Sequence, residues 1–523
     1  MQRSTVLVAA LAGVVALAGM GARAEVRLPA VFSEHMVLQQ GVAAPVWGWA
    51  TPGEAVTVEL GGQTVKATAG AEGRWRCRLG PLAAGGPLVL TVAGANRIEI
   101  QDVHVGEVWF CGGQSNMEFP LERANNAAAE IAAAKDPRIR MFTARNVVAA
   151  EPREEVDGRW VVCSPETAGK FSALGYLFGR EICGVRNVPV GLVHASAGWT
   201  PAEAWTPREA LLGHPDLRYI AERWDAVAAA YPEAKARYEK AMAEWQAASD
   251  KAKAEGREAP PQPSGPADPQ FIHRASGLYN GSVHPLIPYG VRGVIWYQGE
   301  TNDSRGYQYR KLFPALINGW RAAWGREDLP FLFVQVANVL PPDPTPVDSE
   351  WAELRESQAL ALALPHTGMA VTIDIGEEKD IHPKNKQEAA RRLALVARAT
   401  VYGEDVPCSG PVYKAMRVED DAVHLAFDHV HGGLVAGGDA ALSGFAIAGA
   451  DRRFVYAEAR VVGDEVVVRN AAVTAPVAVR YAWANNPAGC NLYNRAGLPA
   501  VPFRTDDWPA KTQDSTALFI DQH

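Results

Sequence analysis

GEVWFCGGQSNM, residues Gly106–Met117, places four consecutive apolar residues, Val108 to Cys111, ahead of two glycines and a serine. A run with no polar face suits a strand buried on both sides of a sheet. Gly112 and Gly113 permit a sharp turn at its end, where Ser115 presents its hydroxyl above the sheet edge. Backbone N–H groups of such a turn are placed to receive a developing oxyanion. Taken alone, the stretch fits an ordinary glycine-rich turn equally well. Partners elsewhere in the chain have to decide between the two.

Before this stretch, Glu25–Gln101 carries short alternating runs separated by Pro-Gly, Gly-Gly and Ala-Gly turns, the pattern of a small β-sandwich. Trp47, Trp49 and Trp75 in this region are expected to pack in its core rather than to form a sugar-stacking face. After it, strands alternate with helices. Helices are predicted over Asn125–Ala134, Phe171–Cys183, Tyr307–Trp324, Trp351–Leu364 and Lys386–Tyr402, and strands over Val188–Ser196, Gly290–Gly299, Phe331–Val339 and Gly368–Gly376. This order implies an α/β fold, a parallel sheet flanked by helices, with ligands bound beyond the carboxyl ends of the strands. A helical stripe through Ile220, Trp224, Val227, Tyr231, Tyr238, Met242 and Trp245, kinked or restarted at Pro232, interrupts it and returns through the proline-rich Ala259–Pro269. From Gly410 onward the pattern is β again.

The chain has 523 residues, 48% hydrophobic and 21% charged, which is enough for about three domains. Met1–Ala24, with Arg3, the apolar Val6–Ala18 and Ala22-Arg23-Ala24, reads as a secretory signal peptide, so the protein is expected to be secreted or periplasmic. Its removal leaves 49 basic against 59 acidic residues, a balance of −10 that argues against a nucleic-acid partner. No later stretch is apolar enough to span a bilayer. Cys77, Cys111, Cys163, Cys183, Cys408 and Cys490 show neither zinc nor CxxC spacing, and Cys111 is expected to be a buried thiol. His429 and His431 have a spacing metals can use, but two ligands on one strand do not make a site.

Three further stretches carry candidate chemistry. Asp380-Ile381-His382-Pro383 lies in a polar loop before the last helix, where His382 can act as general base to a serine while Asp380 orients its other ring nitrogen. Ala195–Trp205 follows a strand directly and offers the Gly198 N–H as an oxyanion donor. Trp296–Asn302 follows another and offers the side-chain amide of Gln298 or Asn302. Serine, glycine, amide and histidine thus arrive from four separate strand ends.

These four residues, Ser115, Gly198, Asn302 and His382, resemble the four blocks of the SGNH hydrolases. GQSNM, TPAEAW, WYQGETN and DIHPKNK resemble, more narrowly, the sialate O-acetylesterase family. The resemblance implies an SGNH-hydrolase-like domain and an esterase that removes acetyl groups from sugar hydroxyls without a metal or other cofactor. It implies Ser115 as nucleophile, His382 as base, Asp380 as its partner, and an oxyanion hole from the Ser115 and Gly198 N–H groups with Asn302 or Gln298. Gln114, Asn116, Trp199, Glu300 and Arg305 are expected to face the acetylated carbohydrate. Two departures stand out: Gly198-Trp199 replaces the family's usual glycine pair, and Asp380-Ile381-His382 replaces the DxxH spacing of many SGNH hydrolases, which keeps Asp374 as an alternative partner. Serine first, with acid and base adjacent and late, excludes the α/β-hydrolase order. The expected organisation is residues 1–24 signal peptide, 25–104 β domain, 105–403 catalytic domain with a helical insertion at 211–270, and 404–523 β region. The resemblance implies acetylated sialic acid as the substrate, with acetylated plant hemicellulose such as xylan as the alternative, to which the absence of an arginine cluster in the site loops lends some support. A binding protein with a decayed catalytic centre is disfavoured, since every catalytic residue type is present.

Overall fold

The computed structural model describes residues 25–438 and 440–522, and the expected signal peptide lies outside them. Its central element is a single 17-residue strand, β1 (Arg97–Gly113). The first half of β1 pairs antiparallel with Gly85–Ala93 and parallel with Val37–Gln39 in the N-terminal β region. The second half is the middle of a sheet completed by β2 (Ile139–Thr143), β3 (Trp160–Val162), β4 (Val190–Ser196), β5 (Gly293–Tyr297), β6 (Phe331–Val334) and β7 (Thr367–Ala370). Their order is β7-β6-β5-β1-β4-β2-β3, parallel throughout except for β3. One strand therefore runs through the expected boundary at residues 104 and 105.

The unbroken apolar run in β1 follows from burial on both faces. Phe110 meets Trp320 and Trp324 at 5.2 and 5.9 Å on one side, while Trp109 meets Phe178 at 5.0 Å on the other. The first side is covered by α4 (Gly306–Trp324) and α5 (Glu350–Leu360), the second by α2 (Ala173–Arg186) and α6 (Lys386–Thr400). Burying one such ring contributes about 1.5–3 kcal/mol. Ser172 caps α2 by accepting the Gly175 N–H at 3.0 Å, so this helix starts two residues later than its apolar pattern suggests.

Strands β6 and β7 are shorter than the sequence predicts. Beyond Val334 and Ala370 the backbone stays buried, but side chains take over from the ladder. Gln358 accepts the Val336 N–H at 2.9 Å, and Thr372 donates to the Gln335 carbonyl at 2.6 Å. Arg355, wholly buried, donates to the carbonyls of Val336, Ala337, Ala484 and Asn485 at 2.7–3.0 Å or within that range. Its guanidinium joins the sheet edge to the C-terminal β region, which consists chiefly of two four-stranded antiparallel sheets.

The insertion forms one helix, α3 (Arg218–Ala254), continuous through Pro232 rather than restarted there. Ile220, Ala221 and Trp224, at its base, are buried. Farther out, the aromatic stripe is covered by the proline-rich return, with Trp245 donating to the Pro260 carbonyl at 2.8 Å. Trp75 is buried, whereas Trp47 and Trp49 are only half-buried and line a groove. All six cysteines are free thiols, and Cys111 is buried. Among the described residues no helix is long and apolar enough to cross a membrane.

Gly106 lies where β1 leaves the N-terminal sheet. A Cβ there would stand 1.9 Å from the Pro189 carbonyl oxygen, which accepts the Glu107 N–H at 2.9 Å. Gly106→Ala is therefore expected to destabilise the fold by about 1–3 kcal/mol, as overpacking does. Urea unfolding at equilibrium measures this, and an unchanged midpoint would contradict it.

Candidate active site

Gly113 ends β1 at φ +142°, with no room for a Cβ, which would lie 2.1 Å from the Tyr297 carbonyl oxygen. The chain turns there into α1 (Ser115–Glu118), so Ser115 opens a short helix at the carboxyl edge of the sheet. A cleft of about 620 Å³ lies over this edge. Ser115, Gly198 and His382 all line it, arriving from the ends of β1, β4 and the loop after β7.

His382 is held from two sides. Its Nδ1 lies 3.0 Å from Asp380 Oδ1, which also accepts the His382 backbone N–H at 2.9 Å. Its ring stacks on Phe119 with centroids 6.2 Å apart. Burial opposes ionisation of Asp380, but the hydrogen bonds and charge of His382 outweigh it and hold the carboxyl below its ordinary value. Asp374, the alternative partner, is taken by Arg392 at 2.6 and 2.8 Å and by the Tyr493 hydroxyl at 2.9 Å.

The amide candidates separate. Gln298 donates to the Thr200 carbonyl at 3.1 Å and to Asn302 Oδ1 at 2.7 Å, which uses both its amide hydrogens. This corrects the expectation that Gln298 can serve an oxyanion. Asn302 Nδ2 donates once, to Glu203 at 2.9 Å, while its oxygen also accepts the Ala202 N–H. The Gly198 N–H donates to Glu118 Oε2 at 2.7 Å, an exposed carboxylate beside Ser115.

Of the expected substrate-facing residues, Gln114, Trp199, Glu300 and Arg305 line the cleft. Arg305 is neither solvated nor free: it is buried and ion-paired with Glu203. Asn116 is turned inward, which corrects its placement against substrate. Its Nδ2 donates to Glu300 at 2.5 Å and to the Ile381 carbonyl at 3.0 Å, and its Oδ1 accepts from Lys386 Nζ at 2.6 Å. Burial pushes Lys386 down to about 7, against the pull of Glu300, Asp380 and Glu377, and pushes the Glu300 carboxyl up.

Trp199 adopts φ +57°, a left-handed backbone that favours glycine, so the chain strains a bulky residue where glycine would sit easily. His273 Nε2 donates to the Trp199 carbonyl at 2.6 Å, and the half-exposed indole packs near Phe271, His273 and Phe519 at 4.7–5.6 Å or between those limits. Trp224 from the insertion and Leu518 and Phe519 from the C-terminal end complete this wall. Sequence reasoning missed Glu203, Trp224, His273, Phe519 and Lys386. Glu203 and Lys386 lie inside the quoted TPAEAW and DIHPKNK stretches, while the others come from segments whose pattern gives no sign of the cleft.

A serine at a strand end and an acid-paired histidine that line one cleft at the edge of a mostly parallel sheet are residue types able to serve ester hydrolysis. Comparison with known proteins narrows this class. The model of a family described as carbohydrate esterase, sialic acid-specific acetylesterase, matches residues 270–398. The sialate O-acetylesterase of Rattus norvegicus is 33% identical over 460 residues, 79% of this chain and 81% of that protein. That of Homo sapiens is 28% identical, covering 91% and 92%. The crystal structure of a carbohydrate acetylesterase from Xanthomonas citri superimposes with a TM-score of 0.79 at 39% identity, covering 92% of this chain and all of that one. The chain belongs to the sialate O-acetylesterase family and is an esterase.

Asn116 ties the Ser115 helix to the loop carrying His382. Asn116→Ala is expected to lower esterase kcat by about 10²-fold, the cost of misplacing reacting groups by roughly 1 Å, with a smaller change in KM. Steady-state kinetics on an aryl acetate check this. Lys386 supplies a pH signature. An unfolded lysine keeps its proton up to about its ordinary 10.5, while the folded one loses it near 7. Between these values the unfolded chain binds more protons, so this residue makes the fold more stable as pH rises. The unfolding free energy of the wild type relative to Lys386→Met is expected to increase from pH 7 to pH 9. A pH-independent difference would contradict it.

Proposed function

We propose that this protein is exported and hydrolyses O-acetyl esters on sugar hydroxyls through an acetyl-serine intermediate. The observation that carries the mechanism is the convergence of Ser115, Gly198 and the Asp380–His382 pair on one cleft from three separate strand ends. The polar and apolar segments of Met1–Ala24 carry the export reading.

His382 takes the Ser115 proton as the hydroxyl oxygen attacks the acetyl carbonyl. Asp380, ionised and bonded to Nδ1, fixes the ring with Nε2 toward the serine and stabilises the imidazolium. The tetrahedral oxyanion is received by the Ser115 N–H, which has no acceptor among the described residues, and by the Gly198 N–H. The second donor becomes available when the substrate displaces Glu118, whose exposed carboxylate is readily rehydrated. Asn302 keeps one amide hydrogen beyond its bond to Glu203, but it is buried and not among the cleft-lining residues, so the family resemblance alone supports it as a third donor. His382 returns the proton to the departing sugar hydroxyl, and water activated the same way releases acetate.

A neutral glycan is the substrate that the cleft's charges favour. Arg305 is the one cationic side chain among the described cleft-lining residues other than histidine, and Glu203 already neutralises it. Binding a sialate carboxylate there would break a buried ion pair and leave Glu203 without its partner. Acetylated xylan or a related hemicellulose meets no such obstacle.

Acetate release from O-acetylated sialic acid, acetylated xylo-oligosaccharides and an aryl acetate, with Ser115→Ala alongside, tests both parts. Ser115→Ala is expected to lose about 10⁴-fold or more in rate with an unchanged circular dichroism spectrum. Near-wild-type turnover by that variant overturns the mechanism. Faster release from sialic acid than from the neutral oligosaccharide overturns the substrate assignment.

A further inference from the structure

A second cavity, of about 520 Å³, lies between the segment Pro342–Asp348 and the C-terminal β sheet that contains Phe445–Ala448. Its volume is in the range of small-ligand sites. Three arginines line it, and they differ in what they do. Arg480 is neutralised by Asp348 and Asp506, both at 2.9 Å. Arg452 and Arg453 form no ion pair among the described residues. Asp451, the nearest acid in sequence, accepts the Arg453 backbone N–H at 3.2 Å. Arg452 is held at φ +61°, an unfavourable backbone for a long side chain.

Aromatic surface stands beside these charges, and the Arg452 guanidinium itself lies over the Trp508 ring at 5.3 Å. Tyr456 is 47% exposed, yet its hydroxyl is fixed by donating to the Asp343 carbonyl at 2.9 Å, so the ring is presented without freedom to fold away. Trp483 also lines the cavity. An exposed ring receives the apolar face of a pyranose, and an unpaired guanidinium receives a carboxylate through two parallel hydrogen bonds.

The cavity wall is connected to the catalytic edge. Asn486 donates to the Leu340 carbonyl at 2.6 Å and accepts from Asn338 at 2.9 Å. The Leu340 N–H in turn donates to the Glu378 carbonyl at 3.0 Å, two residues before Asp380. The cavity wall is therefore hydrogen-bonded, through Leu340, to the loop that carries His382.

We propose that this cavity is a glycan-binding subsite in which Arg453 and Arg452 hold the carboxylate of a uronic acid residue while its ring, or a neighbouring sugar, stacks on Tyr456. It binds an acidic sugar of the polymer whose neutral, acetylated residues enter the catalytic cleft. The assignment rests on the family's carbohydrate chemistry, and its test uses no turnover, so it stands or falls apart from the proposed mechanism.

Calorimetric titration of the full chain with two acetyl-free xylo-oligosaccharides of equal backbone length, one neutral and one carrying a glucuronic acid branch, tests it. The acidic ligand is expected to bind tighter by about tenfold, the worth of one hydrogen bond to a charged group. Arg453→Ala is expected to remove that difference and Arg453→Lys to restore part of it, while Tyr456→Ala weakens both ligands. Thermal unfolding verifies that each variant is folded, and Arg453→Gln replaces the alanine variant if that one is not. Equal affinity of the wild type for the two ligands, binding of neither, or a preference that survives Arg453→Ala overturns the proposal. Inorganic phosphate competing as well as the acidic oligosaccharide reduces the cavity to a general anion site and overturns it too.

Discussion

The buried carboxamide of Asn116 is the constraint on which the site geometry depends. Its three hydrogen bonds reach Glu300 after β5, Ile381 in the loop after β7, and Lys386 at the start of α6. Two segments from separate parts of the sequence, the one carrying Glu300 and the one carrying Ile381 and Lys386, are thereby fixed to the residue following Ser115. A buried amide cannot release one of these bonds cheaply, because an orphaned polar group costs about 1–3 kcal/mol. The geometry is thus enforced by desolvation more than by the strength of any single bond. Burial drives the lysine and the glutamate in this interior space toward neutrality, and the amide between them donates to the glutamate and accepts from the lysine.

The cleft above is walled by segments remote in sequence. The base of the insertion helix brings Trp224, the segment just after its return brings His273, and the C-terminal end brings Phe519. Arg355 bolts the C-terminal region to the sheet edge through four carbonyls, a mode of attachment that needs no carboxylate. A planar guanidinium with five donors is well suited to such a joint, since each donor has a fixed direction. The C-terminal β region is in this way part of the scaffold that positions the loops.

Much of the architecture was legible because double burial leaves an unmistakable mark. Val108–Cys111, Val190–Ser196 and Gly293–Tyr297 are apolar runs bounded by glycine or polar turns, and all three are strands of the central sheet. Ser115, Gly198 and His382 were legible as candidates because each lies in a short polar stretch immediately after such a run or loop. What the sequence concealed was side-chain capture. Gln298 and Asn302 look equivalent as amides, and only the neighbours Thr200, Glu203 and Tyr309 distinguish a saturated group from one with a hydrogen to give. Arg305 looks like a surface charge because its partner is a hundred residues earlier. The early ends of β6 and β7 were hidden for the same reason, since Gln358 and Thr372 replace ladder bonds without altering the apolar pattern.

The long strand β1 belongs to two sheets at once, and this gives the N-terminal β region a status different from that of an appended module. Cutting the chain ahead of Arg97 would strip the partners Gly85–Ala93 and Val37–Gln39 from half of that strand. The exposed ladder would then be an edge open to pairing with other chains. Assembly is also affected, because the partners of the other half, Val190–Ser196 and Gly293–Tyr297, are supplied far later in the sequence. Contacts of such separation are slow to form. The pairing of β1 with Gly85–Ala93 is by contrast local, so the N-terminal half of the strand can gain a partner before the rest of the central sheet is laid down beside it.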